Sequence, residues 1–241
     1  MEFVIIFLEG FISFISPLSL IHISVILADR QTQGRGRRGN SFYSPAGTGL
    51  YMSFVTYPEK SLRDSLILTV AAAVAMTRTI EKFSSDKPSI KWVNDVFIGT
   101  KKVCGILAES VANPEDGSVK AIITGIGVNL GTATEDFPEE LREIAGSVFP
   151  ENASRSRFAA ELIRQFATAA EETDRGELLR EYKEKSLVLG KIVGYVKNGV
   201  HFTGKAVDIN DEGSLIVLLP DGTRDVLLSG EISIEKSYLV K

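Results

Sequence analysis

The residues best suited to chemistry lie in four short stretches. Gln31-Thr-Gln-Gly-Arg-Gly-Arg-Arg-Gly39 places three glycines and three arginines in the six residues from Gly34 to Gly39. Such a run packs neither as a helix nor as a central strand, because glycine is conformationally costly there and a guanidinium must stay paired or hydrated. It suits a loop completed by an anionic ligand. The N–H groups around Gly34, Gly36 and Gly39 can approach oxygens closely, and Arg35, Arg37 and Arg38 can offer forked hydrogen bonds. A solvated basic loop is the plain alternative.

Lys91-Trp-Val-Asn-Asp95 crowds polar groups between apolar segments. Buried Asn and Asp require partners, so Asn94 and Asp95 either face a ligand or its metal, or close a turn on each other. Lys102 enters the apolar run Val103-Cys-Gly-Ile106 beside a glycine. It is placed to hold an anion, although a snorkelling surface lysine is the commoner case. Asn129 ends a run in which Gly125 and Gly127 mark close backbone approach. Its amide can read a base edge or simply cap a turn.

Gly34-x-Gly36-x-x-Gly39 also fits the dinucleotide fingerprint literally. That fingerprint needs a strand directly before the glycines and a helix opening on the last one. Here the apolar run Ile23–Ala28 ends six residues before Gly34, and Ser44–Gly49 followed by Leu50–Tyr57 reads as turn and strand. The context excludes that fold.

The elements that must position these residues follow from periodicity. Ser61–Phe83 reads as a helix apolar almost all round, to be buried against a sheet. Ile90–Glu109 reads as two short strands about Gly99-Thr100-Lys101, and Val119–Asn129 as another strand. Thr132–Asn152 reads as loop with a helical piece near Pro138–Ile144. Ser154–Thr173 is a helix with Phe158, Leu162, Ile163 and Phe166 inward, and Gly176–Ser186 a second with Leu178, Leu179 and Tyr182 on one face. Past Gly190 the period becomes two. Strands Ile192–Val196, His201–Ile209, Ser214–Leu219 and Arg224–Leu228 are joined by Asn198-Gly199, Asp211-Glu-Gly213 and Asp221-Gly222, all hairpin signals. The spacing predicts a domain boundary near residue 188 and a small barrel after it.

Composition bounds the rest. The chain has 241 residues, a net charge of −4, one cysteine and two histidines. The charge argues against a general nucleic-acid binder, making the arginine loop a local device. Cys104 alone excludes an internal disulfide framework, a Cys/His zinc site is disfavoured, and a cytoplasmic location fits. Residues 1–27 are strongly apolar, yet Glu2 and Glu9 are acidic, Pro17 interrupts, and no Lys or Arg precedes Arg30. A pair of buried strands or a short helix is expected there ahead of a membrane anchor or signal peptide.

Taken together and in this order, the motifs resemble the biotin protein ligase catalytic domain, from about Val25 to the C-terminus. The likeness is carried by Gly34-Arg-Gly-Arg-Arg-Gly39, Lys91-Trp-Val-Asn-Asp95, Lys102-Val-Cys-Gly-Ile-Leu107, Gly125-Ile-Gly-Val-Asn129 and Gly230-Glu-Ile-Ser233. Val93 stands where the family usually has proline. The Ser-Thr-Asn tripeptide that helps recognise the biotin ring is missing, with Ser13-Phe14-Ile15 the nearest candidate. The resemblance implies an α+β fold: a class II synthetase-like catalytic domain over residues 1–187, with a mixed sheet and packed helices, then an SH3-like barrel over 188–241. It implies ATP-dependent adenylation of biotin and transfer to one lysine of a biotin carboxyl carrier domain. Carried over by position, Gln31, Arg35, Gly36, Arg37, Lys102 and Gly105 would bind biotin or the acyl-phosphate. Arg37, Asn94, Asp95 and Asn129 would bind the nucleotide, Asp95 would serve Mg²⁺, and Arg37 and Lys102 would be catalytic. A homodimer is compatible with this reading, whereas DNA and stable membrane association are not expected. A related ligase for lipoate or another acid, and a catalytically weakened biotin-binding protein, are the alternatives.

Overall fold

In the computed structural model the described residues are 23–57, 64–149, 151, 154–171 and 175–234. The tripeptide candidate at Ser13, the apolar segment before residue 23, and Ser61–Arg63 at the expected start of the first helix lie outside them.

Two long apolar strands make the centre of the first sheet. Lys101–Ala112 (β5) and Val119–Asn129 (β6) pair antiparallel, Gly105 opposite Gly127. On one side, β6 pairs with Gly49–Thr56 (β2), which pairs with Ile23–Ala28 (β1). On the other, β5 pairs with Asp95–Ile98 (β4), itself paired with Pro88–Lys91 (β3). The sheet order is β1-β2-β6-β5-β4-β3. Its ladders are antiparallel, and isolated parallel bridges join Ile90 to Ser186 and Lys102 to Ala145. Ile90–Glu109 thus holds parts of three strands rather than two. The Trp92–Asn94 turn separates β3 from β4, and β5 runs on to Ala112 because its outer half pairs with β6.

Alternation along the strands assigns the two faces. Phe54, Thr124 and Cys104 are fully buried on the helix side, where Asp64–Phe83 (α1) packs. Val70 through Thr77 of α1 are fully buried, and the alanines among them let the helix backbone sit close to the sheet. Arg155–Glu171 (α2) covers α1, with the Phe166 ring 4.2 Å from that of Phe54. Arg175–Glu184 (α3) directs the Tyr182 hydroxyl to Val93 O at 2.9 Å, bracing the turn before β4. The helices match the expected faces, Phe158, Leu162 and Phe166 of α2 being buried and Leu178, Leu179 and Tyr182 likewise. The helical piece near residue 140 is a single 3-10 turn, Glu139–Leu141.

The second sheet has five strands: Ile192–Lys197 (β7), Val200–Ile209 (β8), Leu215–Leu218 (β9), Arg224–Leu227 (β10) and Ile232–Ile234 (β11), ordered β10-β9-β8-β7-β11. Asn198 and Gly199, with φ of 52° and 78°, turn β7 into β8 in the left-handed conformation the dipeptide favours. Periodicity does not reveal β11, a three-residue strand whose partner β7 lies far back in the sequence. The sheet docks on the first layer where Trp92 Nε1 donates to Gly213 O at 3.0 Å, beside Leu66 and Val70 of α1. The chain is α+β, and no helix among the described residues is long and apolar enough to cross a membrane.

One carboxylate in the helical layer generates a pH prediction. Glu161 of α2 is 9% exposed and receives Arg164, Lys82 and Gln165. The Arg164 hydrogen bond, followed by those from Lys82 and Gln165, lowers its pKa from 4.5 to about 2 against the opposing effect of burial. Because the folded pKa is depressed, the contribution is fully present above the ordinary value and is lost as pH falls through the folded one. Glu161→Gln is expected to cost about 1–3 kcal/mol at neutral pH. In thermal melts the gap to wild type should close as pH falls from 4.5 toward 2. A gap independent of pH in that window would contradict the assignment.

Candidate active site

The face of the sheet opposite α1 is open, and the motif residues collect there. Ser53 of β2, Gly125 and Gly127 of β6 and Gly105 of β5 line a cleft of about 480 Å³, roofed by residues 30–42 and closed at one end by Gly230 and Glu231, which lead into β11, and by Ile232. A volume of this order suits a small-molecule ligand. Gly105 and Gly127 leave room for the Phe42 ring, which lies on them. A methyl group on Gly127 would stand 2.7 Å from Phe42 Cε1, and one on Gly105 would stand 3.2 Å from Cε2.

The loop is tied at both ends and in the middle. Phe42 N donates to Gly34 O at 2.9 Å and Gly36 N to Asn40 O at 2.6 Å. Arg38 and Gly39, with φ of 55° and 82°, make its left-handed turn. The Arg35 guanidinium reaches Glu109 of β5 in a two-pronged pair, 3.1 and 2.6 Å, with the side chains 70% and 41% exposed. Arg37 turns inward: its Nη1 donates to Asn94 Oδ1 at 3.3 Å and to Gly230 O at 3.1 Å. Asn94 is fixed in turn, its Nδ2 donating to Ile106 O at 2.9 Å. Burial, then the charge of Arg38, lower the Arg37 pKa, with Asp95 and Glu231 opposing. Arginine starts so high that it keeps its proton and its charge.

In the same cleft, Lys102 Nζ lies 2.7 Å from Asp95 Oδ1. The distance makes an ion pair, yet the approach is off the line of a directed hydrogen bond and leaves Oδ1 buried without a directed partner. Lys101 points the other way, donating to Arg142 O at 2.7 Å. The cleft lining holds six Arg and Lys side chains against three Asp and Glu, in a chain whose overall charge is −4. Cationic donors are therefore concentrated here. Burial raises the Cys104 thiol well above its ordinary range, so it supplies no nucleophile.

Eight of the nine residues singled out in the sequence line this one cleft: Gln31, Arg35, Gly36, Arg37, Asn94, Asp95, Lys102 and Gly105. Asn129 does not. It is buried where β6 ends, opposite Gly49, and its carbonyl receives Val148 N at 3.0 Å. The Arg35 side chain, expected to face an anion, is spent on Glu109. Phe42, Glu109, Trp92 and Gly230 were not singled out as site residues, since each acts through a partner remote in sequence. Glycines recurring opposite one another on neighbouring strands were the available signal for a ring such as that of Phe42.

Among the described residues no three His, Cys, Asp or Glu side chains gather as a metal cage. Asp95, whose Oδ1 is ion-paired with Lys102 but takes no directed hydrogen bond, fits a Mg²⁺ held mainly by substrate phosphates and water.

Two family descriptions match the chain: the Biotin/lipoate A/B protein ligase family over residues 18–129 and the Biotin protein ligase C terminal domain over residues 188–234. The bifunctional ligase/repressor BirA of Bacillus subtilis (strain 168) is 34% identical over 211 residues, covering 84% of this chain and 64% of that protein. The biotin–[acetyl-CoA-carboxylase] ligase of Mycobacterium tuberculosis is 29% identical over 214 residues, covering 85% and 76%. Among solved structures, the biotin protein ligase from Aquifex aeolicus in complex with biotin and ATP superposes with a TM-score of 0.70 at 29% identity, over 88% of each chain. The chain thus spans 64% of the length of the Bacillus relatives it matches.

The Arg35–Glu109 pair yields a prediction about the loop. An exposed pair contributes about 0.2–1 kcal/mol, so Glu109→Gln should speed tryptic cleavage after Arg35, Arg37 or Arg38 by about 1.4–5-fold. Added salt should narrow the difference. Cleavage rates that are equal at low salt would show that Glu109 does not restrain the loop.

Proposed function

The chain belongs to the biotin protein ligase family, and on that premise we propose that it activates biotin with ATP and transfers the biotinyl group to a lysine of a biotin carboxyl carrier domain. The observation that carries this is the convergence of Arg37, Asn94, Asp95 and Lys102 on a glycine-floored, cation-rich cleft. The match to a biotin-specific C-terminal domain favours biotin over lipoate within the wider family.

Adenylation brings two anions together: the biotin carboxylate attacks the α-phosphorus and pyrophosphate leaves. Preorganised cations offset the repulsion that builds toward the transition state. Lys102 has three N–H donors; held beside Asp95 by an ion pair rather than a directed hydrogen bond, it would turn them to the carboxylate and α-phosphate oxygens. Arg37, steered by Asn94 and Gly230, would clamp the acyl-phosphate so formed. Gln31, Gly36 and Gly105 would hold the rest of the acid, and the backbone of Arg35 would take part while its side chain restrains the loop. Asn94 and Asp95 would face the nucleotide. Asn129 would support the nucleotide side only indirectly, through the end of β6. A Mg²⁺ arriving with ATP would sit by Asp95 and supply positive charge at the phosphates. In the second step the acceptor lysine's amine attacks the acyl carbon and AMP departs, so no protein nucleophile is needed.

Loss of one preorganised contact costs about 3–4 kcal/mol in barrier. Lys102→Ala is therefore expected to slow biotin-dependent pyrophosphate release by about 10²-fold or more. Lys101→Ala, whose side chain serves Arg142 O, should stay near wild type. Lipoate and octanoate should give little release with the wild-type protein. A normal rate in Lys102→Ala would remove the lysine from the mechanism, and a preference for lipoate would overturn the choice of acid.

A further inference from the structure

Ser44 is 8% exposed beneath the glycine loop, and its hydroxyl is used twice. It donates to Phe42 O at 2.9 Å and accepts from Gln31 Nε2 at 3.0 Å. A serine hydroxyl has one proton, and a backbone carbonyl only accepts. The proton is therefore committed to Phe42 O, and the Gln31 atom that meets Ser44 must be the amide nitrogen. With the amide turned over, two carbonyl oxygens would compete for a single hydrogen and one contact would be lost.

The surrounding backbone holds these groups in place. Gln31 N donates to Ser44 O at 3.2 Å and Phe42 N to Gly34 O at 2.9 Å. A Cβ on Gly34 would stand 2.3 Å from Phe42 O and 2.6 Å from Ser44 Oγ, so the hydroxyl sits where it does only because residue 34 is glycine. The amide's other end follows from this. Gln31 Oε1 has no hydrogen-bond donor among the described residues, and Gln31 lines the cleft. The group offered to a ligand is thus an acceptor, which matches an N–H and rejects a carbonyl.

We propose that Ser44 is a positioning residue for the choice of acid. By locking the Gln31 amide it makes the rim of the cleft select an acid whose ring carries an N–H, as a cyclic urea does, over one whose ring holds only sulfur and carbon. The inference rests on the biotin ligase reading and adds to it the residue that orients Gln31.

The experiment measures kcat and KM by pyrophosphate release with biotin and with biotin methylated on its ureido nitrogens, alongside thermal melts. Wild type is compared with Ser44→Ala, Ser44→Cys and Ser44→Thr. One neutral hydrogen bond corresponds to about 3–10-fold in affinity, so Ser44→Ala should raise KM for biotin by that factor with kcat near wild type. Its preference for biotin over the methylated acid should shrink by the same factor. Ser44→Cys, close in volume but a poor donor, should behave as Ser44→Ala, and Ser44→Thr should restore the preference. An unchanged KM, an equal loss with both acids, or a fall in kcat alone would overturn the proposal. Wild-type protein that releases no pyrophosphate with biotin would overturn the ligase reading itself, whereas an active wild type matched by Ser44→Ala and Ser44→Cys overturns only the role of Ser44.

Discussion

A guanidinium held between two fixed acceptors is the contact on which the site depends. Arg37 Nη1 reaches both Asn94 Oδ1 and Gly230 O, so one side chain joins the glycine loop, the turn before β4 and the end of the second sheet. Each acceptor is itself constrained. Asn94 is pinned to Ile106 of β5, and the second sheet is docked through Trp92 to Gly213. The charge stays on Arg37 although burial works against it, and a cation already in position need not reorganise when negative charge develops beside it. The second sheet is in this sense part of the cleft, although it carries none of the cleft's basic side chains.

The rest of the fold prepares a surface on which that cation can act. Glycine weakens a strand, and β5 and β6 accept three in or beside the cleft, Gly105, Gly125 and Gly127. In return, the Phe42 ring lies directly on backbone and brings the loop down onto the sheet. The helix side compensates: α1 buries an unbroken series of small and branched side chains, and α2 adds Phe158, Leu162 and Phe166 to the same core.

Local signals made much of this legible in the sequence. The glycine–arginine run fits neither a helix nor a central strand, the crowded polar groups of Lys91–Asp95 demand partners, and the period-two strands after Gly190 announce a second sheet. Lys101 and Lys102 do point to opposite sides, as strand geometry requires. Pairings between distant residues were not legible. Nothing near Arg35 in sequence announces Glu109, and nothing near Arg37 announces Gly230. Asn129 shows the converse: its place at the end of a glycine-marked strand suggests a ligand, and pairing with β2 buries it beside Gly49, outside the lining of the cleft. The third strand in Ile90–Glu109 escaped notice because a tight turn at Trp92–Asn94 resembles an irregularity in one strand.

The central claim is that the loop's inward arginine retains an activated acid formed in this cleft. The direct measurement is a single turnover with biotin and Mg-ATP, followed by rapid gel filtration and mass spectrometry of the protein and small-molecule fractions. Wild type should carry biotinyl-adenylate with the protein, and Arg37→Gly should form it but lose it to the small-molecule fraction. Absence of the adenylate from both fractions of wild type, or its equal retention by Arg37→Gly, would contradict the account.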